Sequence, residues 1–379
     1  MENRLQRVEQ QPYNLQHNYI LHANIAVIFE AFMTIPQHII HKLGELGIAT
    51  EPNTNIENWN PIPVLDHEEQ QKLSDLTILA SHEQLIEQGF GVVQEVFTPQ
   101  ECDELIEVIR SQTKLGLVKN LLFEEHPLMY AALVNERVLT LARTFLGEEC
   151  ILMSTSATIL GQAGTGLYPK GLQCYGLHSD QPTYDPTITK SSRLNAPRNR
   201  NNMITFCVVL SDGYNKDTGA TYVVPGTHKL GRHPTADAIS HAQEISEPIV
   251  AGRGDAVFWD GNVWHAFGVR QIPGERIVVH ITFGNPNAFE AEDHFDAIPA
   301  SSFMGKPYEK EFIQLLRRDP TTGEVVTPHP RTRQLYWEEV SIRFMEALPK
   351  SFGFWLYKLY MDFYMKSEIK KMKKRPSQQ

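Results

Sequence analysis

Between Cys150 and Gly284 the sequence is a succession of short β-type runs cut by glycine, proline, asparagine and aspartate, with no helical period between them. The clearest are ILMSTSATIL, NMITFCVVL, ATYVVP, DAVFW and RIVVHITF. A parallel sheet needs a crossover of about a dozen residues or more between its strands, usually helical. Short strands joined by turns point instead to an antiparallel barrel or jelly roll. One connection is unusual. QPTYDPTITKSSRLNAPRNRN, residues 181–201, is long and polar, as lids over a site often are.

Helical character lies on both sides of this stretch. Residues 15–48 read as one helix ending near Gly44 and Gly47, and the Asn- and Pro-rich residues 51–65 read as a linker. A second helix is expected from Asp66 to about Gln88, then a short β-run over residues 89–97. In TPQECDELIEVIR, Thr98 is an N-cap with Pro99 at the first helical position and Glu101 completing a capping box. Leu105, Ile106, Val108 and Ile109 give that helix its apolar stripe. Another helix is expected from Pro127 to Leu146, stopping at Gly147. Helical character returns beyond residue 305.

Composition narrows the function. A formal charge of −10 disfavours nucleic acid as the main partner, because phosphate binding depends on clustered Lys and Arg. Cys102, Cys150, Cys174 and Cys207 lie far apart without zinc-type spacing, and read as small buried hydrophobes of a reducing, cytoplasmic setting. The polar N-terminus has no signal-peptide core. The segment Tyr19 to Ile35 is broken by His22, Asn24 and Glu30, so no run reaches the roughly 18 apolar residues of a membrane span.

The chemistry concentrates in LHSD, residues 177–180. On an extended strand His178 and Asp180 point the same way. A histidine from a distant strand, His265 in WDGNVWHAFGV, would complete a 2-His-1-carboxylate triad, which holds non-haem Fe(II) with coordination positions left open. An HxD alone is weak, since a chain with this many His and Asp contains one by chance about half the time. Arg276, 11 residues past His265, adds what a 2-oxo diacid needs at its far carboxylate, a bidentate cation. A salt bridge at a hairpin rim explains that arginine equally well.

The motifs TGATYVVPGTHKLG (218–231) and RGDAVFWDGNVWHAFGV (253–269), followed by Arg276, together with LHSD and the entry GFGVVQEVFTPQECDELIEVIR, resemble the phytanoyl-CoA dioxygenase family over about residues 85–285. The resemblance implies a mainly β fold with α additions. Its core would be a double-stranded β-helix (a jelly roll, cupin-like) over residues 86–300, with helical extensions at 1–85 and 301–379. It implies an enzyme using Fe(II), 2-oxoglutarate and O₂, hydroxylating or otherwise oxidising a small organic substrate with release of succinate and CO₂. His178, Asp180 and His265 would bind the iron, and Arg276 and Thr221 the distal carboxylate. Family members often carry a Gln two or three residues before the first His. Tyr175 and Gly176 stand there, which leaves Gln173, further back, as a cosubstrate contact. Tyr222 stands where relatives have Arg. A carboxylate at Asp180 favours hydroxylation over halogenation, because related halogenases have a small residue there.

His228 reads as a turn residue or one supporting the ligands from behind, His280 as a packed core histidine and Asp255 as a turn-former. Trp259 and Trp264 read as core, with either able to line a pocket. The C-terminal run SFGFWLYKLYMDFYMK with its basic flank 370–375 has two readings, a helix docked on the core or an interfacial anchor. The anchor would imply a lipid-like substrate and peripheral membrane contact; a secondary metabolite is the other substrate class. A cupin-like metal-binding module, a non-oxidative enzyme and a zinc hydrolase stay open on the same barrel.

Overall fold

The computed structural model describes residues 36–48, 50, 65–112, 127–161, 172–180, 203–286 and 298–326. All fall in the larger of two compact units, Ile35–Gln379. Residues 1–35, the loop 181–201 and the aromatic–basic tail lie outside the described residues. Among the described residues nine strands run β1 (Phe90–Val93), β2 (Ile151–Leu160), β3 (Cys174–His178), β4 (Met203–Val209), β5 (Tyr222–Val224), β6 (Glu247–Pro248), β7 (Ala256–Asp260), β8 (Trp264–Gly268) and β9 (Arg276–Gly284). They form two sheets, ordered β1-β7-β4-β9-β2 and β3-β8-β5-β6. All pairings between these strands are antiparallel, the jelly-roll arrangement expected from the turn-separated runs.

Three apolar clusters say how the layers stack. Cys207, Val209, Val257, Trp259 and Val278 of the larger sheet meet Ala220, Val223 and Val263 from the smaller sheet and its flanking turns. On its outer face the larger sheet packs Phe206, Phe258, Ile277, Val279 and Phe283 against helical Leu85, Leu105, Ile109, Phe145 and Phe312. The smaller sheet's outer face sets Leu177, Tyr222, Val224 and Trp264 against Ile39 and Leu43 and the short helices Ala236–Ser240 and Ala242–Ile245. Strands covered on both faces cannot alternate apolar with polar. That is why the sequence showed β-runs without a period of two. Alternation reappears inside β9, where Ile277, Val279, Ile281 and Phe283 face outward and Arg276, Val278, His280 and Thr282 face in.

The helix expected over 66–88 is two, His67–Asp75 and Leu79–Gln88. Thr77 takes a left-handed φ of 58°, and the Ile78 and Thr77 amides close on the Leu73 and Ser74 carbonyls. This is a Schellman stop sealed by buried Leu73 and Ile78. The helix expected over 127–146 also divides, into Pro127–Leu133 and Glu136–Leu146. Asn135 restarts it, its side chain accepting from the Arg137 and Val138 amides. The Thr98–Glu101 capping box forms as expected, and Asp255 shapes its turn by accepting from the Gly252 and Glu95 amides. No helix among the described residues is long and apolar enough to cross a membrane.

Candidate metal centre

β3 and β8 pair at the edge of the smaller sheet, and their register carries the site. Tyr175 lies opposite Phe267 but His178 lies opposite His265, three residues against two. Gly176, at φ +70°, absorbs the extra residue as a β-bulge. The bulge turns His178 to the face that carries Tyr175 and brings its ring to 4.3 Å from the His265 ring, centroid to centroid. β3 ends at His178, so Asp180 reaches the site from the bend after the strand rather than from the strand itself.

The three side chains converge. Their donor atoms all lie within 4.8 Å of one another, and Nε2 of His178 and of His265 are each 3.4 Å from Asp180 Oδ1. Two ligand atoms about 2.1 Å from one ion and at right angles would lie about 3 Å apart, so the spacing suits a facial triad. The other atom of each side chain is already engaged. Nδ1 of His178 is 2.6 Å from the Gly176 carbonyl and Nδ1 of His265 is 3.0 Å from the Val263 carbonyl. A carbonyl only accepts, so both Nδ1 atoms carry the hydrogen and both Nε2 lone pairs are left for a metal. The Trp259 indole N–H donates to Asp180 Oδ2 at 3.3 Å, leaving Oδ1 toward the histidines. Burial alone would raise the Asp180 pKa, but the facing His265 and His178 hold the carboxyl well below the usual carboxylate range.

Across the interior, on the larger sheet, β9 begins with Arg276, only 3% exposed. Its Nε and Nη1 are buried and meet no hydrogen-bond partner among the described residues. The guanidinium lies over the Tyr214 ring, 5.7 Å from the centroid. The Tyr214 hydroxyl in turn sits 2.6 Å from Thr221 Oγ1, and Cys207 Sγ donates to it at 3.6 Å. Thr221, just before β5, is therefore joined to Arg276 through Tyr214. A buried guanidinium with orphaned N–H groups is costly unless an acceptor arrives, and a carboxylate is the acceptor whose geometry fits a guanidinium fork. His280 lies between the two ends, edge-on to Trp259. Burial first, and then the Arg276 charge, push its pKa down to about 4, so it is neutral at physiological pH.

The sequence placed His178, Asp180 and His265 together, and Arg276 with Thr221, and the structure brings each set together. Gln173 stands before the start of β3, at the opposite end of that strand from His178. Its amide donates to Gln243 and its carbonyl accepts from Val269. His228 is fully buried against the helix Leu79–Gln88, its Nε2 at 3.2 Å from the Ile86 carbonyl. Trp264 is core, as read, and donates to the Arg232 carbonyl. Sequence reasoning missed two residues. Trp259 was read as core able to line a pocket but not as the partner of Asp180, although a buried indole N–H needs an acceptor, which was the available signal. Tyr214 carried no signal, since it lies in a turn-rich loop outside every motif.

Comparison with known proteins bears on the same residues. The family model described as phytanoyl-CoA dioxygenase matches residues 85–268, a span that holds the three clustered residues and Thr221 and ends before Arg276. The curated protein dioxygenase af480 of Aspergillus fumigatus is 30% identical over 137 residues, 36% of this chain and 38% of that one. The chain therefore matches well under half the length of that relative. Among solved structures, AviO1 from Streptomyces viridochromogenes Tue57 overlaps 57% of this chain and 98% of its own at 16% identity and a TM-score of 0.42. HygX from Streptomyces hygroscopicus with nickel and 2-oxoglutarate bound overlaps 59% and 88% at 15% identity and a TM-score of 0.41. TM-scores and identities this low lend no weight to the assignment, which rests on the family match and on the chain's own residues. Residues 85–268, a little under half of the chain, match the phytanoyl-CoA dioxygenase family model.

Proposed function

We propose that the protein is an Fe(II)- and 2-oxoglutarate-dependent oxygenase that hydroxylates a small organic substrate. The observation that carries this reading is a pairing across the interior between the two sheets. A 2-His-1-carboxylate cluster has its metal-facing atoms free, and a buried arginine has two N–H groups without an acceptor among the described residues. His178, Asp180 and His265 would hold the iron. Arg276 would take the distal carboxylate of the 2-oxo acid, with Thr221 as its hydroxyl partner. When bound, iron with 2-oxoglutarate and O₂ supplies the oxidising power, the 2-oxo acid leaving as succinate and CO₂.

The protein's own share is placement. Trp259 fixes which Asp180 oxygen faces the metal, and the two backbone carbonyls fix the histidine tautomers. Tyr214 holds Thr221 and the guanidinium at one end. Neutral His280 keeps a second positive charge away from both the arginine and the cation site. A cupin-like binding module or a zinc hydrolase would need the triad but would have no use for an unpaired buried guanidinium.

The test is anaerobic. Fe(II) and 2-oxoglutarate added to the metal-free protein should give the weak visible charge-transfer band of the chelate. The band should vanish in His178→Ala and fail to saturate in Arg276→Ala. A folded, iron-loaded protein without the band would overturn the assignment.

A further inference from the structure

Phe267 is 52% exposed, while its neighbours His265, Ala266 and Gly268 on β8 are buried. A single apolar residue on an outer surface needs no explanation. Phe267 is different because it shares the inner face of β8 with His265, two residues away. Its ring stacks on the His178 imidazole, with centroids 5.6 Å apart and planes 22° apart. It stacks equally on Tyr175, at 5.6 Å and 27°. The bulge at Gly176 makes this possible, since it sets Tyr175 and His178 on one face opposite Phe267 and His265. Three rings thus form a stepped surface that begins at Tyr175, crosses an exposed phenyl ring and ends on a side chain of the triad.

Position decides what this surface is for. β3 is the edge strand of its sheet, and β5, which follows Thr221, lies on the other side of β8. Phe267 stacks toward β3, away from the Thr221–Tyr214–Arg276 cluster where the cosubstrate carboxylate would sit. A molecule resting on the rings is therefore beside the metal position without occupying the cosubstrate's place. We infer that Tyr175 and Phe267 form the shelf on which the oxidised substrate lies, and that this substrate presents a flat, apolar ring system rather than a flexible chain or a polyol. The inference rests on the proposed oxygenase reading for what happens to the bound molecule. Stacked rings offer broad dispersion contact and a quadrupole but few hydrogen bonds, so they select for planar faces. A rigid ring also loses less conformational freedom on binding than an alkyl chain of equal area.

The experiment compares two neutral probes on the full chain, 2-naphthalenemethanol and 1-octanol, by ligand-observed NMR titration of the metal-free protein. The naphthyl probe should bind at least about fivefold more tightly, and Phe267→Ala should erase that preference. Phe267→Leu keeps an apolar side chain but not the flat face, and should erase it too, while Phe267→Trp should retain it. Equal binding of the two probes, or a naphthyl preference that survives both Phe267→Ala and Phe267→Leu, overturns the shelf. A charge-transfer band without probe discrimination sinks the shelf alone. Probe discrimination without a band supports the shelf as a ring-binding surface and sinks the oxygenase reading.

Discussion

The two ends of the interior between the sheets differ in how complete they are without a ligand. At the triad end each atom turned away from the metal position has its partner: the Nδ1 atoms on two carbonyls, Asp180 Oδ2 on the Trp259 indole. At the other end Arg276 keeps Nε and Nη1 buried and, among the described residues, unpartnered, with the Tyr214 face and its link to Thr221 beside it. The first end is preorganised. The second carries a desolvation cost that an incoming anion relieves. The contrast teaches that geometry alone can nominate a metal site, whereas an anion site announces itself by what is missing.

The largest effect should come from breaking the complete end. Asp180→Ala removes the group both Nε2 atoms face, and iron affinity should fall by more than the roughly 10–100-fold that outer-shell partners command. Equilibrium dialysis with Fe(II) or Mn(II) measures this, and retained affinity would remove Asp180 from the ligand set.

Arg276→Met should separate the two ends most sharply. Cosubstrate affinity should fall about a hundredfold, in the range for losing a charged, bidentate contact, while metal affinity stays within about twofold. Without 2-oxoglutarate the variant should melt no lower than the parent, because the substitution also removes orphaned donors. With 2-oxoglutarate at a hundred times the parent's Kd, the parent should gain about 2.7 kcal/mol and the variant only about 0.4 kcal/mol. A variant that melts well below the parent in both conditions would make Arg276 a structural ion rather than a ligand-seeking one.

Between the ends stands His280, whose folded pKa near 4 lies below the unfolded value of about 6.5. The fold disfavours its proton. Its contribution to stability is therefore complete above pH 6.5 and is lost as the pH falls toward 4, on the order of 3 kcal/mol across that window. His82, buried and likewise lowered to about 4, acts in the same window, so the informative quantity is a difference. His280→Gln should flatten the pH dependence of urea-unfolding free energy between pH 7 and 4 by about one proton's slope. Superimposable curves would show that His280 is already solvated in the fold.

How much of this was legible follows from where the signals sit in the chain. The barrel was readable because turn residues mark the ends of its strands locally, and His178 with Asp180 because two residues carry the motif. His265 and Arg276 could be nominated by residue type and spacing, but only the family resemblance favoured them over a core histidine and a rim salt bridge, since nothing local in WDGNVWHAFGV distinguishes a ligand from a core histidine. The helix breaks were missed because Thr77 adopts a conformation usually left to glycine and Asn135 caps within an otherwise helical run. The bulge did have a local sign, an isolated glycine in a strand, but its consequence depends on the register with β8. Trp259 and Asp180 are 79 residues apart, and no short window holds both.

Trp259→Phe tests that long-range contact and is expected to have a moderate effect. The ring volume stays apolar while the N–H to Asp180 is lost, so metal affinity should drop about tenfold. Cosubstrate affinity, measured on metal-saturated protein, should be unchanged. An equal loss of both would mean the indole shapes the whole cavity rather than the triad end alone.

The smallest expected change belongs to Tyr214→Phe. It leaves the ring under the guanidinium and takes away the hydroxyl that meets Thr221 Oγ1 at 2.6 Å. One neutral hydrogen bond is worth about 1 kcal/mol, so 2-oxoglutarate should bind about fivefold more weakly, with metal affinity and melting temperature of the apo protein close to the parent's. Thr221→Val should weaken cosubstrate binding by more, because it removes both the link to Tyr214 and the hydroxyl offered to the carboxylate. The double variant decides the coupling. If Tyr214 acts by orienting Thr221, the phenylalanine substitution should do nothing further in a Thr221→Val background. Full additivity would instead mean that the tyrosine hydroxyl meets the cosubstrate itself, which would put a third polar contact at the end that is incomplete without a ligand.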